Sequence, residues 1–380
     1  MFALLLLMAA DQATGDDIVV TGTRLDDAYA ACIAHQCSPS RDVLVSIAWA
    51  ERAFGKGDYL TAKRGLAAAI VRNRSSVAIA PKPVAALYEA YGTVTLQEGD
   101  LDAYRDAVGE QVRTLRDNLP AIDPAVSNVE LALGDMWMKM GDLRNAKAAY
   151  KRAQDAGTKF GQHVTALSAR LRLFTLANEQ GRSSEASVLL DEIARSPIAQ
   201  SSDVQAIIPA FRLRLAATRA DKAEIDRQID AMARTRYGQR PIVIWNPPLE
   251  PTALAAAEDH AKKFGDINRS AARSMDITSL GWADVGFWVR PGGRTAQVEV
   301  VRSSGDSAWT KAAVDQISDR RYAAFVDDGT GQGVYRIERY TLRGSYGVPT
   351  GSLVRRRTGS QRMEVLDVTF LQNAPSRPTS

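Results

Sequence analysis

The chain has 380 residues, which is too long for one ordinary domain, so we expect two or three. Hydrophobic residues make up 45% of it and charged residues 24%, a balance that allows a sizeable core and excludes wholesale disorder. The net charge of +4 arises from 48 basic and 44 acidic residues that are well mixed, which argues against a nucleic-acid-binding surface. The dense basic run at 355–357 is too short to change this.

Residues 1–13, MFALLLLMAADQA, combine an apolar run with small and polar residues. The run is shorter than the roughly 20 apolar residues that span a bilayer, and it resembles a secretory signal peptide with cleavage after Ala10 or Ala13. The usual basic n-region is missing, so the alternatives are a true start further upstream or a merely apolar N-terminus. No other segment is apolar enough to span a membrane, so we expect export without stable membrane insertion.

Two cysteines, Cys32 and Cys37, lie five residues apart in the N-terminal segment 14–41. In an exported protein this spacing predicts a short-loop disulfide. On one continuous helix the two side chains would point to different faces, so the helix must end near His35, and the Ser-Pro that follows supports that end. The alternatives are a metal site made by Cys32, His35 and Cys37, which lacks a fourth ligand nearby, and two free thiols.

Residues 42–237 contain a repeated sequence pattern. Gly-Asp pairs at 57–58, 99–100 and 141–142 recur at steps of 42 residues, and a Gly-Arg pair at 181–182 follows 40 residues later. Small side chains at facing positions let two antiparallel helices approach closely, and bulky ones fill the holes between them, so the pattern predicts tandem helix hairpins. The recurring positions are Ala50, Gly92, Gly134 and Phe174 before the turn, and Ala62, Tyr104, Ala146, Ala186, Leu66, Val108, Tyr150 and Leu190 after it.

The third copy, LALGDMWMKMGDLRNAKAAYKRA at 131–153, resembles the tetratricopeptide repeat most clearly. The matching residues are Gly134, Trp137, Gly141, Asp142, Ala146, Tyr150 and Ala153. The resemblance implies a helical-repeat solenoid with a concave protein-docking surface, in which Trp137 is buried between the helices of its repeat. A degenerate fifth copy is predicted at 207–232, with its turn at 220–221.

After residue 237 the repeat pattern is lost, and segment 238–281 is predicted to be a linker that contains one helix. Its proline-rich start, PIVIWNPPLEP at 241–251, is interpreted as a linker or an edge strand, and an amphipathic helix is predicted at about 251–264. From 282 the pattern predicts a β-hairpin around Pro291-Gly292-Gly293, a helix that Asp306 or Ser307 caps, and a strand at 334–343. A further strand is suspected at 363–370, in the tail 347–380.

The module at 282–346 resembles the C-terminal domain of TonB-family energy transducers. The resemblance lies in WVRPGGRTAQVEVVRSSGD of the hairpin and SAWTKAAVDQISDRRYAAF of the helix. Near the N-terminus, DDIVVTGTR at 16–24 resembles the TonB box, the short extended peptide of outer-membrane receptors. The family's Tyr-Pro signature is reduced to NPP at 246–248, and its membrane anchor and proline-rich spacer are not found. The predicted fold class is therefore mainly α, a tetratricopeptide-like helical-repeat solenoid followed by a small α+β (β-β-α-β) TonB-C-like domain.

The sequence offers no group of residues that we interpret as a catalytic, cofactor-binding or metal site. The histidines are scattered, at positions 35, 163 and 260. GTGQG at 329–333 precedes a strand, whereas a phosphate-binding loop follows a strand and opens a helix. We therefore expect a protein that is not an enzyme and needs no cofactor.

Together the resemblances imply a periplasmic protein-interaction scaffold linked to TonB-dependent transport, with protein or peptide partners and no nucleic acid. The repeats would dock proteins, and the sheet would bind an extended peptide at an exposed edge. We expect the strand at 334–343 to be that edge, unless the strand suspected at 363–370 covers it. The predicted peptide-binding residues are Val334, Tyr335, Arg336, Ile337, Glu338 and Arg339. The alternatives are a divergent energy transducer or accessory transport subunit, and an enzyme with an unrecognised site.

Overall fold

A computed structural model of the chain describes residues 23–217, 223, 226–227, 241–247, 249, 281–304, 309–326, 329, 331–347 and 356–369. These residues fall into two compact units, one up to Thr165 and one from Ala166 to Thr369. Several predicted features lie outside the described residues: the signal-like run, most of the TonB-box-like stretch, the turn of the fifth repeat, the helix at 251–264 and the helix cap at 306–307. The predicted domain boundaries stay predictions.

Ten α-helices follow one another within residues 23–217, which the structure describes without a gap. The prediction that this part of the chain is helical is confirmed. Short 3₁₀ turns at 74–76 and 197–200 join some of the helices. The helices are α1 (Thr23–Ile33), α2 (Pro39–Gly55), α3 (Tyr59–Asn73), α4 (Pro81–Glu98), α5 (Leu101–Asn118), α6 (Pro124–Met140), α7 (Leu143–Lys159), α8 (His163–Glu179), α9 (Ser183–Ala194) and α10 (Ser202–Ala217).

The predicted Gly-Asp turns separate the two helices of each hairpin. Gly57, Gly99 and Gly141 have φ angles of 79°, 90° and 79°, a left-handed conformation that favours glycine. In each of these turns the aspartate that follows accepts a hydrogen bond from the backbone N–H three residues on, at 3.0, 3.1 and 3.0 Å. This contact satisfies an N–H group that the first turn of a helix leaves unpaired. The Gly-Asp pair thus ends one helix and starts the next.

The recurring small and bulky positions of the repeat are all buried. Leu66, Val108 and Leu190, for example, expose 1%, 5% and 1% of their surface. The repeat register predicted from the sequence is therefore confirmed for the helix hairpins. The prediction of a buried Trp137 is wrong, because Trp137 is only half-buried at the rim of a core that α5 shares with α6. The neighbouring Met136 points into this core and is 2% exposed. One residue turns the side chain by about 100° around a helix, which accounts for the difference.

Strands and one more helix complete the second unit. A four-stranded antiparallel sheet has the order β3-β2-β5-β6, and β1 pairs with β4 in a small separate sheet. The helix packs on one face of the larger sheet, where it shares a core with Val285, Phe287 and Tyr340. The elements are β1 (Val243–Trp245), β2 (Gly281–Val289), β3 (Thr295–Ser303), α11 (Thr310–Asp319), β4 (Arg321–Tyr322), β5 (Val334–Gly347) and β6 (Arg356–Asp367).

The start of the predicted linker is an ordered part of the second unit. The stretch interpreted as a linker or an edge strand contains β1, which lies antiparallel to β4. Ile244 of β1 and Ala323 after β4 belong to the core of α8, α9 and α10. That core includes Phe174 and Phe211, whose ring centres are 5.1 Å apart. Within the second unit, β1 and β4 therefore tie the sheet region to the last helices.

Candidate functional site

The strand that was expected to form an open edge lies inside the sheet, because β5 pairs with β2 on one side and with β6 on the other. Pairing with β6 begins at Glu338, opposite Asp367. The preceding Ile337 donates its N–H to Oγ1 of Thr369 at 3.0 Å and accepts the N–H of Val368 at 2.9 Å. The prediction of an open edge at 334–343 is wrong, and the alternative of a covering strand in the tail is correct.

Most of the six predicted peptide-binding residues lie in the interior of the sheet region. Three of them expose 3% of their surface or less: Ile337, Glu338 and Arg339. Arg336 lies 3.4 Å from the carboxylate of Asp367, and Val334 packs against the core. Tyr335 alone among the six is placed beside the other edge of the sheet. Peptide binding by these six residues stays a prediction. The pairing of β5 with β6 makes it unfavourable, because β6 already occupies that side of β5.

In the described part of the chain the sheet has two end strands, β6, which pairs with β5 only, and β3, which pairs with β2 only and is the candidate edge considered below. Its side chains at 297 and 299–303 are exposed, and Val300 and Val301 expose 37% and 45%. Ser304 donates its N–H to the carbonyl of Trp282 in β2 at 2.9 Å. Because successive residues of a strand turn their N–H groups to opposite sides, the N–H of Ser303 points away from β2. The edge therefore offers backbone hydrogen bonds and apolar side chains to an added strand.

An aromatic pair lies next to this edge. A Cβ on Gly286 of β2 would lie 2.1 Å from the hydroxyl of Tyr335 and 2.7 Å from Cγ2 of Val301. The missing side chain therefore makes room for Tyr335 beside Val301. The Tyr335 ring meets the Trp288 ring edge to face, with the centres 5.3 Å apart. Tyr335, Trp288 and Val301 thus form an apolar patch that can contact the side chains of an added strand.

We did not predict the register shift between β2 and β3 or the buried acid in β2 from the sequence, although the sequence carries a signal for each. The Val300-Val301 pair interrupts the alternation of apolar and polar residues, and the pairing of β2 with β3 shifts register at this point. Such a shift is typical of a β-bulge. Asp284 stands in an otherwise apolar strand, which indicates a buried acid that needs a partner.

Ion pairs to the buried Asp284 fix the register of the three strands around it. Arg339 of β5 donates to Asp284 at 2.7 Å, and neither side chain is exposed at all. Arg302 of β3 donates to the same carboxylate. The guanidinium of Arg339 also lies over the Trp282 ring, 4.3 Å from its centre. A slipped register would leave a buried charge without its partner, which is costly, so these contacts hold β3 in place as the edge.

A second buried network lies on the face that packs against α11. Arg320 donates to Glu338 at 2.6 Å, and the two side chains expose 5% and 4%. Arg320 also donates to the hydroxyls of Tyr322 and Tyr340, at 3.2 and 3.1 Å.

Burial raises the pKa of Tyr322, and it raises that of Tyr340 well above its usual range. Burial disfavours the charge on Arg320, but Glu338, Tyr322 and Tyr340 together outweigh this and hold the pKa of the guanidinium above its usual value. All three groups therefore keep their protons at neutral pH, and the Tyr340 hydroxyl donates to Gln316 and to Glu338, each at 3.2 Å.

In the first unit, Cys32 and Cys37 form the predicted disulfide. α1 ends at Ile33, and His35 has a left-handed φ of 59°, so the chain turns between the two sulfurs as the spacing requires. Cys32 is 2% exposed and packs in a small cluster with Leu25 and Val45. The disulfide therefore fastens the end of α1 to the chain that leads into α2.

A polar cavity of about 160 Å³ lies beside the disulfide. Its wall includes Asp42, which accepts hydrogen bonds from Arg72 at 2.7 Å, Asn73 at 2.6 Å and Ser46 at 3.0 Å. Burial raises the pKa of Asp42, but these hydrogen bonds outweigh it and hold the pKa below its usual value. Because the carboxylate and the guanidinium in the wall pair with each other, we assign this cavity no ligand.

Among the described residues, no cluster of three or more His, Cys, Asp or Glu side chains is placed to hold a metal ion. No helix in the described ranges is both long and apolar enough to cross a membrane. The expectations that the chain is not an enzyme and needs no cofactor stay predictions.

Solved structures of other proteins resemble part of the chain, whereas no family model and no curated protein matches it. BtubC (BKLC) from P. vanneervenii is 13% identical, with a TM-score of 0.39, and the match covers 55% of this chain and 78% of that one. The TPR-like repeats of a putative kinesin light chain from Podosopora anserina are 16% identical, with a TM-score of 0.43 and coverages of 52% and 98%. A tetratricopeptide repeat protein from Parabacteroides merdae ATCC 43184 is 15% identical, with a TM-score of 0.28 and coverages of 52% and 81%. Because these TM-scores lie below 0.5, the repeat assignment depends on the Gly-Asp turns and on the burial of the recurring positions.

Proposed function

We propose that the chain is a protein-interaction scaffold that binds an extended peptide by strand addition to β3. The observation that carries this proposal is the exposed outer edge of β3 beside Val300 and Val301. Natural proteins usually protect such edges with prolines, charged side chains, β-bulges or a covering segment. β3, TAQVEVVRS, has a register shift and the charged Glu299 and Arg302 but neither proline nor lysine, and no described strand pairs with its outer side. An extended peptide would pair with these backbone groups, and its alternate side chains would rest against Val301 and Tyr335.

The helix hairpins supply a second binding surface in this proposal. Ile79 and Ile122 each stand two residues before the proline that starts a helix, Pro81 of α4 and Pro124 of α6. Their side chains expose 83% and 60% of their surface, at equivalent places in successive repeats. Regularly spaced apolar side chains on stacked hairpins are suited to protein docking. We expect the Ile79→Ser/Ile122→Ser double variant to lose binding of a partner protein at this surface, while its free energy of unfolding stays unchanged.

The finer part of the proposal is a link to TonB-dependent transport in the periplasm. The resemblance of WVRPGGRTAQVEVVRSSGD to the TonB C-terminal domain supports it, because this stretch includes β3 itself. The TonB-box-like segment DDIVVTGTR supports it as well, because it offers consecutive β-branched residues that favour an extended strand. The bound peptide would then be a TonB-box-like segment of this chain or of a receptor.

Titration of a fluorescent peptide of residues 16–24 tests strand addition to β3. The titrated protein begins at Thr23, so that its own copy of the segment does not compete. We expect saturable binding that the Ser303→Pro variant loses, since proline removes an N–H that points towards the peptide. The matched Ser303→Ala variant keeps this N–H and should bind normally. No binding by the unmodified protein, or equal binding by both variants, contradicts strand addition at β3. A scrambled peptide that binds equally well contradicts the TonB-box part alone.

The disulfide gives a test of periplasmic location, because disulfides persist in oxidising compartments. Mass spectrometry of protein purified from the cell envelope without reductant should find Cys32 linked to Cys37. Alkylation of both thiols in freshly lysed cells, or recovery of the protein from the cytoplasmic fraction only, contradicts the location.

A further inference from the structure

Three helices of the first unit lie side by side and run in the same direction. They are α2, α4 and α6, each the first helix of its hairpin. Lys82 at the start of α4 pairs with Asp123, which caps the start of α6, at 2.9 Å. α2 contacts α4, and the repeat gives these two helices the same relation. Equivalent faces of the three helices therefore form one continuous surface.

A row of polar side chains runs along this surface. Gly92 of α4 faces the second helix of its hairpin, because a Cβ there would lie 3.5 Å from Tyr104. The next residue is turned by about 100° around the helix axis, away from that contact. Glu89 and Gln97 lie four positions to either side of Thr93 and share its face of α4. The residues at this position in the three helices are Glu51, Thr93 and Asp135.

Two of the acids on this surface lie in a groove. Glu51 and Glu89 are both exposed, yet burial raises the pKa of each carboxyl. The two observations agree for the concave side of stacked helices, where solvent reaches a group that protein surrounds on several sides. Glu89 accepts a hydrogen bond from Gln111 at 3.3 Å. Among the described residues no lysine or arginine pairs with either carboxylate, so both are open to a positively charged ligand.

Two uncharged side chains also indicate a ligand in this groove. Gln97 is 2% exposed, and its Oε1 accepts no hydrogen bond in the part of the chain that the structure describes. A buried acceptor without a donor is costly, and an N–H group of a ligand would satisfy it. Leu44 lies seven positions before Glu51 on the same face of α2 and is 70% exposed. On α6 the charges of Asp135 and Lys139 cancel, so the surface as a whole is acidic.

We propose that this groove binds an extended segment of a partner protein that carries two arginine or lysine residues three to four positions apart. The inference rests on the proposed docking of proteins by the helix hairpins, and it names the chemistry of the partner. Packed helix axes lie about 8–10 Å apart. Glu89 lies about one helical turn, or 5–6 Å, further from its Gly-Asp turn than Glu51 does. The carboxylates are thus about 10–12 Å apart, which an extended chain covers in three to four residues.

Fluorescence anisotropy with the full-length protein tests the proposal. The probe is a labelled serine-glycine peptide with one leucine and two arginines three positions apart, and a control peptide has glutamates in place of the arginines. We expect saturable binding of the arginine peptide only. The Glu51→Gln/Glu89→Gln variant should weaken it about ten-fold, because two charge-assisted contacts are lost. The Asp106→Asn/Glu110→Gln variant makes the same change of net charge on α5, at side chains that are 72% and 42% exposed, and should bind normally.

A charge-reversed variant shows whether charge decides recognition. Glu51→Arg/Glu89→Arg should bind the glutamate peptide and lose the arginine peptide. Binding of neither peptide by this variant, at an unchanged denaturation midpoint, contradicts recognition by charge. The proposal is overturned if the unmodified protein does not bind the arginine peptide or binds both peptides equally, or if the two neutralised variants bind equally. Failure of the arginine peptide while the 16–24 peptide still binds at β3 overturns this inference and leaves the proposed function intact.

Discussion

The ring of Tyr150 occupies the space that a side chain at position 134 would need. A Cβ on Gly134 would lie 2.2 Å from Cε1 of Tyr150. The hydroxyl of Tyr150 donates to Asp135 at 2.7 Å, and the residue is 2% exposed, so the ring is held in place. α6 and α7 pack this closely because residue 134 has no side chain.

Gly134→Ala should therefore destabilise the protein by about 1–3 kcal/mol through overpacking. This sign is opposite to helix propensity, which favours alanine over glycine by about 1 kcal/mol. Gly109 is the matched control, because it lies in α5 and a Cβ there would meet nothing within 4 Å. Gly109→Ala should stabilise by about 0.5–1 kcal/mol. Urea denaturation of both variants measures the difference, and effects of the same sign would contradict the close packing of α6 on α7.

The repeat register could be predicted from the sequence because its causes are local. A glycine in a left-handed conformation and an aspartate that caps the next helix are recognisable without any knowledge of the tertiary fold. The fixed distance from Gly141 to Gly134 and to Tyr150 then places the facing residues. Which of Met136 and Trp137 enters the core could not be predicted in this way, because that depends on how α5 packs on α6.

The second prediction concerns these two adjacent residues. Met136→Ala should cost about 2–5 kcal/mol, because a fully buried side chain leaves a cavity. Trp137→Ala should cost less than Met136→Ala, although tryptophan is the larger side chain, since it lies half-buried at the rim. Denaturant midpoints of the two variants at equal m-values decide the order. A larger loss for Trp137→Ala would mean that α6 is rotated about its axis so that Trp137, and not Met136, faces the core.

The third prediction is a pH dependence caused by Asp42. Its pKa in the folded protein lies below the usual value of 3.8, so its contribution to stability is fully present above about pH 4. The contribution is lost as the pH falls through the lowered pKa and the carboxylate is protonated. Asp42→Asn should therefore cost about 1–3 kcal/mol at neutral pH, where Arg72 loses its charged partner, and progressively less in acid. Asp106→Asn, at an exposed site, should change stability little at either pH. A penalty for Asp42→Asn that is independent of pH would show that the charge is not what matters.

The edge of the sheet could not be predicted because the pairing of strands is non-local. The strand at 334–343 has the composition of an edge strand, with charged residues such as Arg336 and Arg339. Those charges instead pair with acids that other strands supply: Arg336 lies half-buried beside Asp367 of β6, and Arg339 is fully buried against Asp284 of β2. The sequence signalled the presence of β6 and left its position beside β5 as an alternative, which only the pairing of the strands decides. Because β6 covers β5, the end strands of the sheet are β6 and β3, and the candidate site lies at β3 on the opposite side of the sheet from β5.

The last prediction concerns Arg320 and Glu338, the buried ion pair on the face that packs against α11. Glu338→Leu alone should cost about 3–5 kcal/mol, because it leaves the guanidinium of Arg320 buried without its carboxylate. The Arg320→Met/Glu338→Leu double variant replaces both charges with apolar groups, so we expect it to be much closer to the unmodified protein. Lys311 and Asp315 on α11 form the control pair, since their side chains are 80% and 60% exposed. Asp315→Asn should change stability by less than about 0.5 kcal/mol.

The double variant also distinguishes an effect on the free energy of unfolding from an effect on how firmly β1 is held. Arg320 donates to the Asn246 side chain at 2.8 Å, and Gln316 donates to the carbonyl of Pro247 at 2.6 Å. Removing Arg320 breaks the first contact and leaves the second intact. Hydrogen exchange at 241–247 should therefore be faster in the double variant than in the unmodified protein, even where their free energies of unfolding are similar. Unchanged exchange would mean that the packing of Ile244 among the last helices holds β1 without help from Arg320.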